Sequence, residues 1–149
     1  MHNLVEFLEA TCRTMGGCPA IEDEDGVLSF DELRQKSLQI GMQIRKEGSG
    51  RSGKQMIAVY LPKSAKCLCA MLGVLYSGNI YIPMDCRAPI NRTKLIFEII
   101  QPVLIITDKK GEQLLSDAGI TDEILMDYDD VTSLLCEETP DGFVNRTLA

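Results

Sequence analysis

The apolar positions alternate between two periods, and the alternation divides the chain into elements. Residues 4–13 repeat at helical spacing, with Leu4, Phe7 and Leu8 on one face, and Gly16-Gly17 closes the run. Two short apolar runs, Pro19–Ile21 and Val27–Leu28, flank Glu22-Asp-Glu-Asp-Gly26. Asp-Gly supplies the positive φ of a tight turn, which predicts a β-hairpin. In Leu28-Ser-Phe-Asp-Glu-Leu33, Ser29 can accept from the amide three residues on and Glu32 can reach back. That is a capping box, with Leu28 and Leu33 placed as a hydrophobic staple. The helix it opens extends to about Lys46, with Phe30, Leu33, Ser37, Ile40, Gly41 and Ile44 as its inner face and Gly48 as its stop.

The stretch Gly48–Lys54, GSGRSGK, has the spacing of a phosphate-cradling loop. Such a loop follows a strand and opens a helix, so that the helix amino terminus faces the anion. Here the order is reversed, because Met56–Leu61 is a continuous apolar run of the buried-strand type, closed by Pro62. Gln55 also stands where the metal-binding hydroxyl belongs. The stretch therefore reads as an ordinary helix-to-strand connection.

Beyond it the alternation continues. Ser64 caps a helix through Tyr76 that is apolar nearly all round, with Gly73 marking a close approach. Gly78 ends it, and Ile80–Ile82 is the next strand. Pro89 suits the first turn of a helix ending at Ile100, where Gln101-Pro102 breaks the pattern. Val103–Thr107 is a buried strand, Glu112–Ala118 a short helix stopped by Gly119, and Ile124–Met126 a further strand. Strand alternating with helix predicts an α/β fold with a mainly parallel sheet and helices on both faces. Residues 1–135 are expected to form this α/β portion, and 136–149 a polar tail or connection.

Composition narrows the function. Charged residues make up 25% and apolar ones 45%, as in soluble globular domains. A net charge of −7 opposes a nucleic-acid or anionic-membrane surface. The longest uncharged stretch, Cys67–Met84, contains Ser77-Gly78-Asn79 and Pro83 and so reads as helix, turn and strand, not as a membrane span. With acids in its first residues in place of a signal peptide, the chain is expected to be cytoplasmic. The six cysteines, Cys12, Cys18, Cys67, Cys69, Cys86 and Cys136, are then expected to be reduced, buried thiols without zinc. Asp127-Tyr-Asp-Asp130 opens like a calcium loop with Glu138 near its end, but Val131 and Thr132 occupy positions that need a ligand and a glycine.

Two stretches, in order, carry a family resemblance. Leu28–Leu33 resembles the first core motif of the adenylate-forming enzymes, L-[TS]-Y-x-E-L. Leu75-Tyr-Ser-Gly-Asn-Ile-Tyr-Ile-Pro-Met-Asp85 resembles the second, L-K-A-G-x-A-Y-V-P-[IL]-D. Pro89 and Arg92 match the proline and arginine that follow, and the resemblance covers about residues 4–126. Tyr76 replaces the motif's lysine, Ser77 an alanine, Ile80 a small residue and Cys86 a proline. The G-x-Y-x-P-x-D form is most similar to amino-acid-activating adenylation domains of nonribosomal peptide synthetases, with acyl- and aryl-CoA ligases as near relatives.

The resemblance implies that this is the amino-terminal portion of the large adenylation subdomain. It also implies that the family's phosphate loop, ribose-binding acid and catalytic lysine lie beyond Ala149. The whole enzyme would use ATP and magnesium to form an acyl- or aminoacyl-adenylate and pass the acyl group to a carrier-protein or CoA thiol. Its partner would be the rest of the adenylation domain. Within this chain no residue is assigned to catalysis, cofactor or metal. Lys54, Lys63, Lys109 and Lys110 near strand ends read as solvated cations. A stand-alone α/β binding module that lacks the chemistry is the alternative, told apart by whether the reading frame continues past Ala149.

Overall fold

The computed structural model describes residues 3–48 and 54–133. Helix α1 (Leu4–Met15) opens on a capping box: the Asn3 side chain accepts from the Glu6 amide at 3.0 Å. Its buried residues are Val5 and Leu8. Leu4 and Phe7, expected on the inner face, are exposed, because docking against the next long helix turns the Val5–Leu8 side inward. Strands β1 (Pro19–Asp23) and β2 (Gly26–Ser29) form the expected antiparallel hairpin, turning at Gly26 with φ of 135°. Its acids serve the fold. Asp23 accepts from the Asp25 amide at 2.9 Å and from the distant Ala65 amide at 2.9 Å, pinning the hairpin to a helix start.

Helix α2 (Phe30–Glu47) begins on the Ser29–Glu32 capping box, with reciprocal bonds of 3.1 and 3.2 Å. Leu33, Ser37, Leu38, Ile40, Gly41 and Ile44 are buried, so Leu38 widens the expected stripe. The Gly48 amide donates to Ile44 O and stops the helix. Strand β3 (Met56–Tyr60) follows. Helix α3 (Ala65–Tyr76) is capped by Ser64 Oγ, which accepts from the Cys67 amide. Strand β4 (Ile80–Pro83) and helix α4 (Ile90–Ile100) come next, with Pro89 one place earlier than expected, at the cap. Strand β5 (Leu104–Thr107) leads into helix α5 (Lys109–Asp117). That helix starts three residues earlier than predicted, because Asp108 accepts from the Gly111 amide and caps it. A 3-10 turn (Asp122–Ile124), strand β6 (Leu125–Asp127) and helix α6 (Tyr128–Thr132) complete the described chain. Asp127 caps α6 by accepting from the Asp130 amide, so the calcium-like run is a helix start. Glu138, Cys136 and the polar tail 136–149 lie outside the described residues.

The sheet order is β4-β3-β5-β6 and every pairing is parallel, with Ile57 opposite both Tyr81 and Leu104. Side chains alternate across it. Ile57, Val59, Leu104, Ile106 and Met126 face α1, α2, α3 and α6. Ala58, Tyr60 and Ile105 face α4 and α5 through Phe97 and Leu115. Helices thus cover both faces of a mainly parallel sheet, and the hairpin forms its own two-stranded sheet.

Candidate functional site

The helices that follow β3 and β5, adjacent strands, leave to opposite faces: α3 to one, α5 to the other. Ligands of open α/β sheets sit outside the carboxyl ends of strands at such a switch point. A cavity of about 560 Å³ occupies that position, within the size range of small-molecule sites. Tyr60–Lys63 at the end of β3, Met84–Arg87 after β4, and Asp108, Lys110 and Gly111 after β5 line it. Local chemistry fixes each connection. Pro62 ends β3, and its carbonyl accepts from Ser64 Oγ at 2.8 Å. Asp85 folds the next loop by accepting from the Arg87 amide at 2.8 Å, which holds its carboxyl below the usual range. Thr107 Oγ1 donates to Tyr60 O at 2.7 Å. Gly111 lets α5 sit down on these strand ends, since a Cβ there would collide with Thr107 Oγ1.

The floor is soft and apolar, made of Tyr60, Cys67 and Met84. Lys63, Arg87 and Lys110 are exposed at its rim, with Asp85 and Asp108 among them. Burial, and then the nearby Asp108, push the Cys86 thiol up to about 11, and burial likewise raises Cys67. Both therefore stay protonated and weakly nucleophilic at neutral pH. Burial raises Tyr60 as well.

Among the described residues no group of three or more His, Cys, Asp or Glu is gathered as a metal site. At the helix starts beside the cavity, Ser64 Oγ accepts from the Cys67 amide, Asp23 from the Ala65 amide and Asp108 from the Gly111 amide. Residues 49–53 of GSGRSGK lie outside the described residues, but their flanks are α2 and β3, so the loop leaves a helix carboxyl end, where the dipole repels anions. Of the four strand-end lysines, Lys109 is no free cation: it pairs with Asp130 at 3.0 Å, Glu112 at 3.6 Å and Asp127 at 3.7 Å. Lys63 and Lys110 reach the cavity rim, and Lys54 is exposed. The five described cysteines are free thiols. Only Cys69 is fully buried and Cys18 is exposed, which corrects the expectation that all are core residues.

Away from the cavity, the motif's departure at Tyr76 has a partner that the sequence did not announce. The buried Tyr76 hydroxyl donates to Glu9 Oε1 at 2.6 Å, and Arg34 Nε donates to the same oxygen at 2.7 Å. One carboxylate thereby joins α1, α2 and α3. Tyr76→Phe is expected to cost about 1.5–3 kcal/mol, the range for bonds to charged groups. Urea unfolding checks it, and an unchanged midpoint would show that the bond contributes nothing.

The layered α/β architecture is an open parallel sheet with helices on both faces and a crevice at its switch point. The family model for AMP-binding enzymes matches residues 8–145, and the chain belongs to that family. Novobiocin biosynthesis protein H of Streptomyces niveus is 27% identical over 132 residues, 89% of this chain and 22% of that protein. Tyrocidine synthase 1 of Brevibacillus parabrevis is 30% identical over 107 residues, 72% of this chain and 10% of that protein. A solved four-domain nonribosomal peptide synthetase bound to AMP and glycine shares the fold with TM-score 0.78 at 22% identity. That match covers 99% of this chain and 10% of the synthetase. The chain thus spans about a fifth or less of the length of these relatives, and its type is that of the nonribosomal peptide synthetase adenylation domain.

Proposed function

We infer that this chain is the scaffold portion of an ATP-dependent carboxylate-activating ligase that works in the cytoplasm. The whole enzyme converts a carboxylic acid, with an amino acid as the favoured class, to its adenylate with release of pyrophosphate. It then passes the acyl group to a thiol of a carrier protein or CoA. The observation that carries this reading is the placement of both family motifs in one fold. Leu28–Leu33 is the capped start of α2. Leu75–Asp85 runs from the end of α3 through Gly78, at φ of 80°, along β4 to the cavity mouth. The chain's own contribution is architectural: it holds the strand ends and packs the helices behind them.

The test is amino-acid-dependent exchange of pyrophosphate into ATP. The isolated chain is expected to show none above a no-enzyme control. A chimera in which this chain replaces the matching segment of the tyrocidine synthase 1 adenylation domain is expected to exchange at least ~100-fold faster, since this chemistry depends on preorganised positioning. A folded chimera that does not exchange would refute the ligase reading. Exchange by the isolated chain would refute the purely architectural role.

A further inference from the structure

We propose that the thiols of Cys67 and Cys86, assisted by the thioethers of Met71 and Met84, form a site for one soft monovalent metal ion of the copper(I) class at the switch-point cavity. The proposal is independent of the ligase reading. Its first support is convergence. Cys67, Met84 and Cys86 line the one cavity. Cys67 comes from the first turn of α3, on one face of the sheet, and packs with Met71 against the larger core cluster. Met84 and Cys86 follow β4 and pack against the smaller cluster on the other face. The two pairs meet at the carboxyl ends of the strands, where the cavity opens. Cys67 also carries a second sulfur with it: its thiol donates to Met71 Sδ at 3.8 Å, one helical turn on. The charge of Cys67 is among the causes that raise the Cys86 thiol, after burial and Asp108, as expected for thiols that share a cavity.

The second support is the kind of ligand present. Among the described residues no three His, Cys, Asp or Glu side chains gather as a metal site. Structural zinc needs four such ligands and magnesium an octahedron of oxygens, so neither is served. Thiolate and thioether ligands select copper(I). The third support is charge. Binding breaks two S–H bonds, forms two copper–sulfur bonds and releases two protons to water, with no change of oxidation state. Burial, which holds both thiols protonated, opposes this step. A coordinating metal overcomes that, because it deprotonates a thiol outright. Two thiolates around one monovalent cation then leave one net negative charge. Lys63, Arg87 and Lys110 at the rim of the cavity favour that charge, and they outnumber Asp85 and Asp108, which oppose it.

The experiment titrates the reduced 149-residue chain, without oxygen, into the coloured copper(I)–bicinchoninate complex. The chain is expected to withdraw one equivalent of copper(I), and copper-edge X-ray absorption to show sulfur neighbours alone. Losing a group that only orients a metal ligand costs about 10–100-fold in affinity, so Cys67→Ser and Cys86→Ser are each expected to cost at least about 100-fold. Met71→Leu is expected to cost about 10-fold, and Cys12→Ser and Cys18→Ser to change nothing. At a free copper(I) concentration about 100 times Kd, the melting temperature of the parent chain is expected to rise by about 5–10 °C. Zinc is expected to leave it unchanged. Alkylation read by mass spectrometry needs no variant: copper(I) should protect Cys67 and Cys86 in the parent chain and leave Cys18 open. Protection that spares Cys67 or Cys86, full affinity in either folded serine variant, or equal stabilisation by zinc would overturn the site. So would a chain that takes no copper(I) from bicinchoninate.

Discussion

Gly73→Leu is expected to leave the chain without a cooperative thermal transition, and Gly73→Ala to lower its melting temperature by about 2–4 °C. Gly73 lies on the buried face of α3 where that helix crosses α2. A Cβ at this position would stand 2.6 Å from Ile40 Cγ2, 2.7 Å from Ile40 Cβ and 2.9 Å from Ser37 O. A rotamer change can move Cγ2, but Ile40 Cβ and the Ser37 carbonyl are fixed to the α2 backbone. The helices must therefore separate. Alanine would gain about 1 kcal/mol of helix propensity over glycine. Overpacking costs about 1–3 kcal/mol for one methyl group and more for an isobutyl group, so packing wins in both variants. Gly17→Ala is the control, because its Cβ would meet nothing within 4 Å. Thermal melts of the three variants decide the matter. If Gly73→Ala melts at or above the parent temperature, the close helix crossing is wrong.

Gly73 was legible in the sequence as a close approach, because a glycine inside an apolar helix needs a packing reason. The same holds for the Ser29–Glu32 box and for the reversed order around GSGRSGK, since capping and element order are local properties. What could not be read depends on distant partners. Leu4, Val5, Phe7 and Leu8 offer α1 more than one apolar face, and only contact with α2 selects Val5 and Leu8. The early start of α5 depends on Gly111, which lets the first turn of the helix approach Thr107. Tyr76 sits in an apolar run as a plain core aromatic, and its acceptor Glu9 is 67 residues away. The cavity at the strand ends was also hidden, because it is assembled from three loops that each read as an ordinary connection. The sheet order that brings those loops together is not written in any one of them.

Raising the pH above about 10 is expected to unfold the chain steeply, with the slope set by its buried tyrosines. Tyr76 is fully buried, and burial first, then the hydrogen bond to Glu9, push its pKa well above the ordinary tyrosine value. Tyr128, at the start of α6, is raised by burial and then by neighbouring Cys69. In both cases the folded pKa exceeds the unfolded one. Below about pH 10 the hydroxyls are protonated in both states, and the stabilisation is fully present. Above it, the unfolded chain releases protons that the folded chain retains, so stability falls as pH rises. Each tyrosine contributes a slope of about 1.4 kcal/mol per pH unit, or roughly 2.7 for the two. Buried thiols such as Cys69, also raised, begin the decline earlier, from about pH 8.5. Against a total stability of about 5–15 kcal/mol, a few pH units suffice to unfold the domain. Urea titrations from pH 7 to 12 measure the slope, and Tyr128→Phe should reduce it by about one proton's worth. A midpoint that stays flat to pH 11 would mean that these hydroxyls ionise as freely in the folded chain as in the unfolded one, and that neither is sealed in the core.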